Sequence, residues 1–270
     1  MDFVCPKCKG ALTEGGGVSR CALGHSYDRA RAGYYNLLLG TGGGTHGDNR
    51  EMVEARHAFL SSGSYAPLGE RVAALVLAHT ASGGVLLDAG CGEGYYTDLC
   101  ERALAERDGQ SRVLAFDISR DAVKYAARRN KAVMLAVASS YDIPVADGSV
   151  DTALNVFSPT ALSEMHRVLR KGGHLVYVYP GEEHLWGLKS AIYDKPYKNS
   201  PEDTAREGFT LVAHERVEYD LHLVGNGNVR SLFMMTPYAY RTGRTERERL
   251  ERLDTLDTRV EFYIAVYRKD

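Results

Sequence analysis

The chain has 270 residues, enough for one large domain or for a medium and a small one. Its 44% hydrophobic and 25% charged content are those of an ordinary globular protein, and no apolar run approaches the roughly 20 residues that span a bilayer. A formal net charge of −2 neither favours nor opposes nucleic acid as a partner, because a basic patch can be local. The N-terminus carries Asp2, Cys5 and Cys8 where a signal peptide needs an apolar core, so a cytoplasmic location is expected, where disulfides are disfavoured.

Of the five cysteines, three fall within the first 21 residues. Cys5-Pro6-Lys7-Cys8 is a thiolate knuckle, and Cys21 and His25 supply a second ligand pair beyond it. Tetrahedral zinc takes thiolate and imidazole ligands at this spacing, and four protein ligands make the metal structural. Lys7, Lys9, Arg20, Arg29 and Arg31 give the small module a basic surplus, which is either a phosphate footprint or a solvated surface. Tyr27, Tyr34 and Leu37 either stack on bases or plug the module onto its neighbour. Residues 40–49 (GTGGGTHGDN) form a glycine-rich linker in which His46 is solvated. The expected division is 1–39 zinc module, 40–49 linker and 50–270 second domain.

A helix is expected over 50–60, with Met52, Ala55 and Phe59 on one face. Ser64 is placed to cap the next helix, whose first turn holds Pro67, and Tyr65 lies in the bend, covering a ligand or packing. Val85 to Leu87 is a buried strand that ends in Asp88 and a turn with glycines at 90, 92 and 94. The helix after it, 95–104, aims its free N–H groups at that turn. A dinucleotide fingerprint has its third glycine one residue later, and the Glu93 carboxylate would repel a pyrophosphate. Strand 113–117 ends in Asp117, placed to accept ribose hydroxyls or to serve as a loop carboxylate beside the cap Ser119.

Helix 122–129, strand 133–137, strand 152–157 and helix 160–169 follow, the last closed by a glycine cap at 172–173. Strand 174–179 leads to a helix over 182–192 that carries His184. The rest is read as strand 209–217, helix 229–235, a charged helix 244–253 and strand 260–267. In that charged helix Arg247 pairs with Glu251 and Glu248 with Arg252. Strands alternating with helices specify a doubly wound, Rossmann-like α/β sheet beside a small zinc ribbon.

The segment Asp88-Ala89-Gly90-Cys91-Gly92-Glu93-Gly94 resembles the first motif of class I S-adenosylmethionine-dependent methyltransferases. On that resemblance Asp88 to Gly94 holds the methionine tail, Asp117 the ribose, and the loop 139–143, with Ser140, the adenine side. Nearly the whole chain is similar to the RlmA family, the large-subunit rRNA guanine-N1 methyltransferases. The likeness rests on C-P-K-C at 5–8, C-x3-H at 21–25, G-Y-Y-N-L-L at 33–38, D-A-G-C-G-E-G-Y-Y-T at 88–97 and P-G-E-E-H-L at 180–185. It implies a zinc module that helps recognise a 23S rRNA hairpin, cofactor contacts from Gly92 and Glu93, Tyr65 and His184 at the edge of the same pocket, and a homodimer. Asn155, at the end of the fourth strand of the sheet, is the candidate to orient the acceptor base, and no general base is assigned. The competing readings are a small-molecule methyltransferase with a purely structural ribbon and a non-catalytic RNA-binding zinc protein. The two-module division also expects loss of a zinc ligand to spare cofactor affinity.

Overall fold

The computed structural model describes residues 2–40 and 47–270, so most of the expected linker, His46 included, lies outside the described residues. Three short strands, β1 (Thr13–Gly15), β2 (Val18–Arg20) and β3 (Ser26–Asp28), form a small antiparallel sheet. In chain order there follow β4 (Tyr34–Asn36), α1 (Arg50–Ser61), α2 (Ala66–His79), β5 (Val85–Ala89), α3 (Tyr95–Arg107), β6 (Arg112–Asp117) and α4 (Arg120–Arg129). Then come β7 (Met134–Val137), β8 (Val150–Val156), α5 (Leu162–Val168), β9 (Leu169–Pro180) and α6 (Trp186–Ile192). The chain ends with β10 (Phe209–Val224), α7 (Asn226–Met234), α8 (Arg244–Leu250) and β11 (Thr255–Lys269). Among the described residues no helix is long and apolar enough to cross a membrane.

The large sheet has eight strands in the order β10-β11-β9-β8-β5-β6-β7-β4. Neighbours from β9 to β4 are parallel, and β11 runs antiparallel to both β9 and β10. Successive strand residues point to opposite faces, and the apolar runs obey that period of two. Leu86, Val113, Ala115, Leu135, Leu154, Val176 and Val178 enter the core formed with α1, α2, α3 and α4. Leu87, Leu114, Phe116, Ala136, Ala153 and Leu175 enter a second core on the other face.

That second core is closed by the zinc module and α5. Phe3, Cys5, Leu12, Cys21, Tyr35 and Leu37 pack there with Ile143, Val145, Met165 and Val168. Tyr34 and Leu37 therefore plug the module onto its neighbour, as one of the two sequence readings has it. β4 extends the large sheet by pairing with β7, so the sheet takes in residues from both sides of the linker.

Several local expectations are corrected. Tyr65, not Ser64, is the N-cap of α2; the Ser64 hydroxyl bonds Ser62 Oγ at 2.7 Å. No glycine cap closes α5: the chain turns extended at Leu169, which pairs with Val150, and residues 170–173 bulge before His174 pairs with Thr152. Leu169 is fully buried, so continuing as strand satisfies its side chain where another helical turn would expose it. α6 starts at Trp186, not at Glu182, because β11 captures the amides ahead of it. Glu183 N–H donates to Glu261 Oε2 at 2.9 Å and Leu185 N–H to Arg259 O at 3.0 Å. His184 thus sits in a turn, not on a helix. Within α8 Arg244 pairs with Glu248, Arg249 reaches Asp194, and Glu251 just beyond the helix pairs with Arg230 of α7, while Arg247 donates to the Ala239 and Thr242 carbonyls. β10 and β11 run longer than expected because their outward positions are charged, which conceals the strand pattern while the ladder continues.

Gly94 caps α3 with φ +86, and a Cβ there would stand 2.9 Å from Ala126 Cα in α4. Gly148 has φ +60 and open space around it. Gly148→Ala should therefore lose only the left-handed strain, about 1–2 kcal/mol. Gly94→Ala should lose roughly 3 kcal/mol or more, since α3 and α4 must also separate. Urea unfolding of both variants checks this, and equal losses would mean that the helix contact is not tight.

Candidate active site

β5 carries Asp88 and Ala89 to its carboxyl end, and the chain then turns through the glycines into α3. The N–H groups of Gly90 and Cys91 donate to the Phe116 carbonyl at 2.9 and 3.0 Å, which ties the turn to the end of β6. The turn lies where the strand order reverses, with β6 on one side of β5 and β8 on the other. Ligands of open parallel sheets bind in that crevice. Gly92 has φ +55 and keeps an open side, with the Arg56 guanidinium 3.6 Å from where a Cβ would stand. Arg56 pairs with Asp48, and Ser119 Oγ donates to the Asp48 carbonyl at 2.7 Å, so the last residues of the 40–49 segment lie against the turn and the end of β6.

Three carboxylates meet here, Asp88 and Glu93 buried and Asp117 half-buried, each answered differently. Asp88 accepts from Thr97 Oγ1 at 2.6 Å, and burial, with Asp117 nearby, pushes its carboxyl up to about 7 against the opposing effect of that bond. Asp117 accepts from Gly92 N–H at 2.9 Å and Ser119 N–H at 2.7 Å, and burial raises its pKa. Each of its oxygens keeps an acceptor site, so the loop-carboxylate and ribose roles are compatible. Ser119 Oγ accepts from Ala122 N–H, as expected of the cap of α4.

Glu93 is only 1% exposed, and Arg129 Nη2 donates to its Oε2 at 2.6 Å. His57 Nδ1 lies 2.9 Å from the same oxygen. The carboxylate is thus paired with α4 within the protein through Oε2. Neither Arg129 nor His57 was singled out from the sequence, where they read as surface positions of two amphipathic helices.

Tyr65 is 1% exposed, with its ring centroid 5.0 Å from those of Phe59 and Phe262. The His184 ring lies 4.6 Å from Phe262 and 6.4 Å from Tyr65, so the two residues are brought together around one phenyl ring. Burial, with Lys189 adding to it, lowers the His184 pKa to about 3, and its Nδ1 accepts from Glu261 N–H at 3.2 Å. The ring is therefore neutral with its hydrogen on Nε2. Ser140 is half-buried in the turn closed by Ser139 and Asp142. Asn155 is fully buried at the end of β8 and donates to the Ala89 carbonyl at 3.3 Å.

The residues fit S-adenosylmethionine. Tyr65 Oη, Glu93 Oε1, Tyr96 Oη and Asn155 Oδ1 are buried polar atoms without a protein partner on the elements around the turn. Buried polar groups are satisfied as a rule, and a polar ligand with its waters would satisfy these. Open backbone at Gly92 and a carboxylate at the end of β6 complete the fit.

The zinc ligands meet as their spacing predicts. Cys5 Sγ and Cys21 Sγ each lie 3.4 Å from His25 Nδ1, and Cys8 Sγ lies 3.6 Å from Cys21 Sγ. Tetrahedral zinc with bonds of about 2.3 Å to sulfur and about 2.0 Å to nitrogen sets its ligand atoms about 3.5–3.8 Å apart. The chain binds one structural zinc. Tyr27 Oη, 3.2 Å from Cys5 Sγ, donates to that thiolate in the outer shell. The knuckle and the residues before it also reach the 139–145 loop. Lys9 pairs with Asp142, Val4 N–H donates to Pro144 O at 2.8 Å, and Phe3 bridges Val145.

These contacts oppose the expectation that zinc loss spares cofactor affinity. Chelation, or Cys8→Ser, should release the 139–145 loop and weaken S-adenosylmethionine binding several-fold in titration calorimetry. Unchanged affinity in the metal-free protein would mean that the module is energetically separate. A second expectation concerns Asp88. Its unfolded pKa is near 3.9 and its folded value is raised, so its stabilising effect is complete below about pH 4 and is lost as pH rises through 7. Asp88→Asn keeps an acceptor for Thr97 and removes the ionisation. The variant should gain on the parent by about 1.4 kcal/mol per pH unit across that window. Denaturant unfolding of the cofactor-free proteins from pH 5 to 8 measures the gap, and a constant gap would refute the raised value.

Two family models match: one described as RlmA, N-terminal, over residues 3–39, and one described as a methyltransferase domain over 87–177. A 23S rRNA (guanine(748)-N(1))-methyltransferase of Streptomyces fradiae is 35% identical over 226 residues, covering 81% of this chain and 79% of that protein. A Bacillus subtilis (strain 168) protein, provisionally named a 23S rRNA (guanine-N(1)-)-methyltransferase, is 32% identical over 251 residues, 88% of this chain and 86% of its own. The crystal structure of MccD protein superposes with a TM-score of 0.47 at 18% identity, over 76% of this chain and 98% of that one. With a zinc ribbon, a class I sheet and relatives this similar over most of both chains, the chain belongs to the RlmA family of S-adenosylmethionine-dependent methyltransferases.

Proposed function

We propose that the chain transfers a methyl group from S-adenosylmethionine to N1 of a guanine in a hairpin of 23S rRNA. The observation that carries this reading is the docking of the zinc module on the loop beside the cofactor turn, through Lys9 and Asp142 and through Phe3, Val4 and the 144–145 backbone. An RNA gripped by the module is then held at the mouth of the site. The names of the Streptomyces fradiae and Bacillus subtilis relatives support the same substrate.

S-adenosylmethionine supplies an electrophilic methyl group on a sulfonium. In this reading Asp88 to Gly94 and Asp117 position it, with Tyr65 and His184 behind the pocket and Ser140 on the adenine side. Arg129 pairs with Glu93, with His57 against the same oxygen, and so fixes the turn. Guanine N1 carries a proton and is masked by base pairing, so the acceptor must be unpaired or flipped out, at a cost of a few kcal/mol. The work takes place in the cytoplasm, and we include a homodimer in the proposal: β10 closes the sheet with a 16-residue edge suited to a second copy.

Labelled methyl transfer to protein-free 23S rRNA tests this, with the product mapped as a reverse-transcription stop at a single guanine. Incorporation at one guanine is expected. Turnover on small metabolites without incorporation into RNA would leave the small-molecule reading standing, and RNA binding without any turnover the non-catalytic one.

A further inference from the structure

Among the described residues three non-glycines adopt positive φ: Lys9, Phe157 and Leu185. Lys9 closes the zinc knuckle, its N–H donating to Cys5 O at 2.7 Å, and Leu185 is 1% exposed in the core. Phe157 differs from both. Its φ is +54, yet its ring is 45% exposed, so a strained backbone holds an apolar ring out in solvent. Strain of this kind persists only where the surroundings enforce it, and it collects at ligand sites.

The surroundings are the cofactor crevice. Phe157 follows β8 directly, and its N–H still donates to Val178 O at 3.2 Å. The next residue, Ser158, packs so closely on Gly90 that a Cβ there would stand 2.0 Å from its Oγ. β8 and β5 are neighbours, and paired strands lie about 4.8 Å apart. The backbone at 157–158 is therefore about one strand spacing from the glycine turn. The Phe157 ring is also the outer end of an aromatic run, its centroid 5.5 Å from Phe262, which in turn packs on His184 and Tyr65. The fixed inner rings leave the outer one a rigid platform.

We infer that Phe157 is the stacking platform for the acceptor base, presenting the edge of an extruded purine to the cofactor turn. The inference rests on the proposed RNA reading and adds the residue that Asn155, buried two positions earlier, was expected to be. A phenyl face grips any base through stacking, so Phe157 supplies hold and orientation, and the choice of guanine falls to hydrogen bonds elsewhere.

The test uses full-length, zinc-loaded protein with 23S rRNA. Phe157→Ala should lower kcat/KM for RNA about 5- to 150-fold, the range that loss of one base-stacking contact spans. Its affinity for S-adenosylmethionine by equilibrium dialysis should change less than twofold. Phe157→Trp should restore most of the activity. The chain has a single native tryptophan, Trp186, so the new indole should also report stacking as emission quenched by RNA beyond the parent's own change. An active parent with an equally active Phe157→Ala would overturn this inference alone. So would loss of cofactor affinity in both variants, which would make the ring structural. A parent inactive on RNA would overturn both this inference and the proposed substrate.

Discussion

The site is organised by a solvation problem: Asp88 and Glu93 are nearly excluded from water at the end of β5, and Asp117, half-buried at the end of β6, faces the same turn. A buried carboxylate is tolerated only when it is protonated, hydrogen-bonded or paired. Each is satisfied by a different part of the fold, and that requirement dictates how the parts meet. Asp88 needs Thr97 from the first turn of α3. Glu93 needs Arg129 from the end of α4, which brings α4 across α3 so closely that only glycine fits at position 94. Asp117 uses the backbone of Gly92 and Ser119, and so joins the ends of β5 and β6. The helix layer over this face thus serves the electrostatics of the turn as much as the burial of apolar surface.

The opposite face is closed in another way. Where a doubly wound sheet carries a full second layer of helices, this chain places its zinc module beside α5. A module of about 40 residues is too small to hold a core of its own, and metal binding, on the order of 10 kcal/mol, makes up the shortfall. Its apolar residues then need not be self-sufficient. Phe3, Leu12 and Tyr35 face outward from the ribbon and inward to the sheet, so ribbon and sheet complete a single core.

Much of this was legible in the residues, for physical reasons. The central strands are buried on both faces and appear as short apolar runs, and the zinc ligands declare themselves by spacing. The glycine turn is visible because positive φ at three alternate positions tolerates little else. What escaped were features that depend on partners distant in the chain. Arg129 and His57 carry no local mark, since their function exists only once α1, α4 and the turn converge. The Arg170-Lys171-Gly172-Gly173 stretch has the composition of a helix cap. Whether it caps or bulges is decided by Leu169, which is fully buried and pairs with β8. The capture of residues 183–185 by β11 was equally invisible, and it moved His184 from an expected helix into a turn.

Methyl transfer tolerates little misplacement, since reacting atoms must meet within about 3–3.5 Å and a 1 Å error can lower the rate about 100-fold. A substrate holder tethered by a flexible linker would not meet that tolerance. Here the geometry of the zinc module is set elsewhere, by the pairing of β4 with β7, by the shared core and by the Lys9–Asp142 contact. Zinc module and glycine turn share one packed body, with residues 139–145 in contact with the module. On the proposed function, an RNA held by the module would lie against the carboxyl ends of β5 and β8, and extrusion of the base would be the large rearrangement the reaction requires.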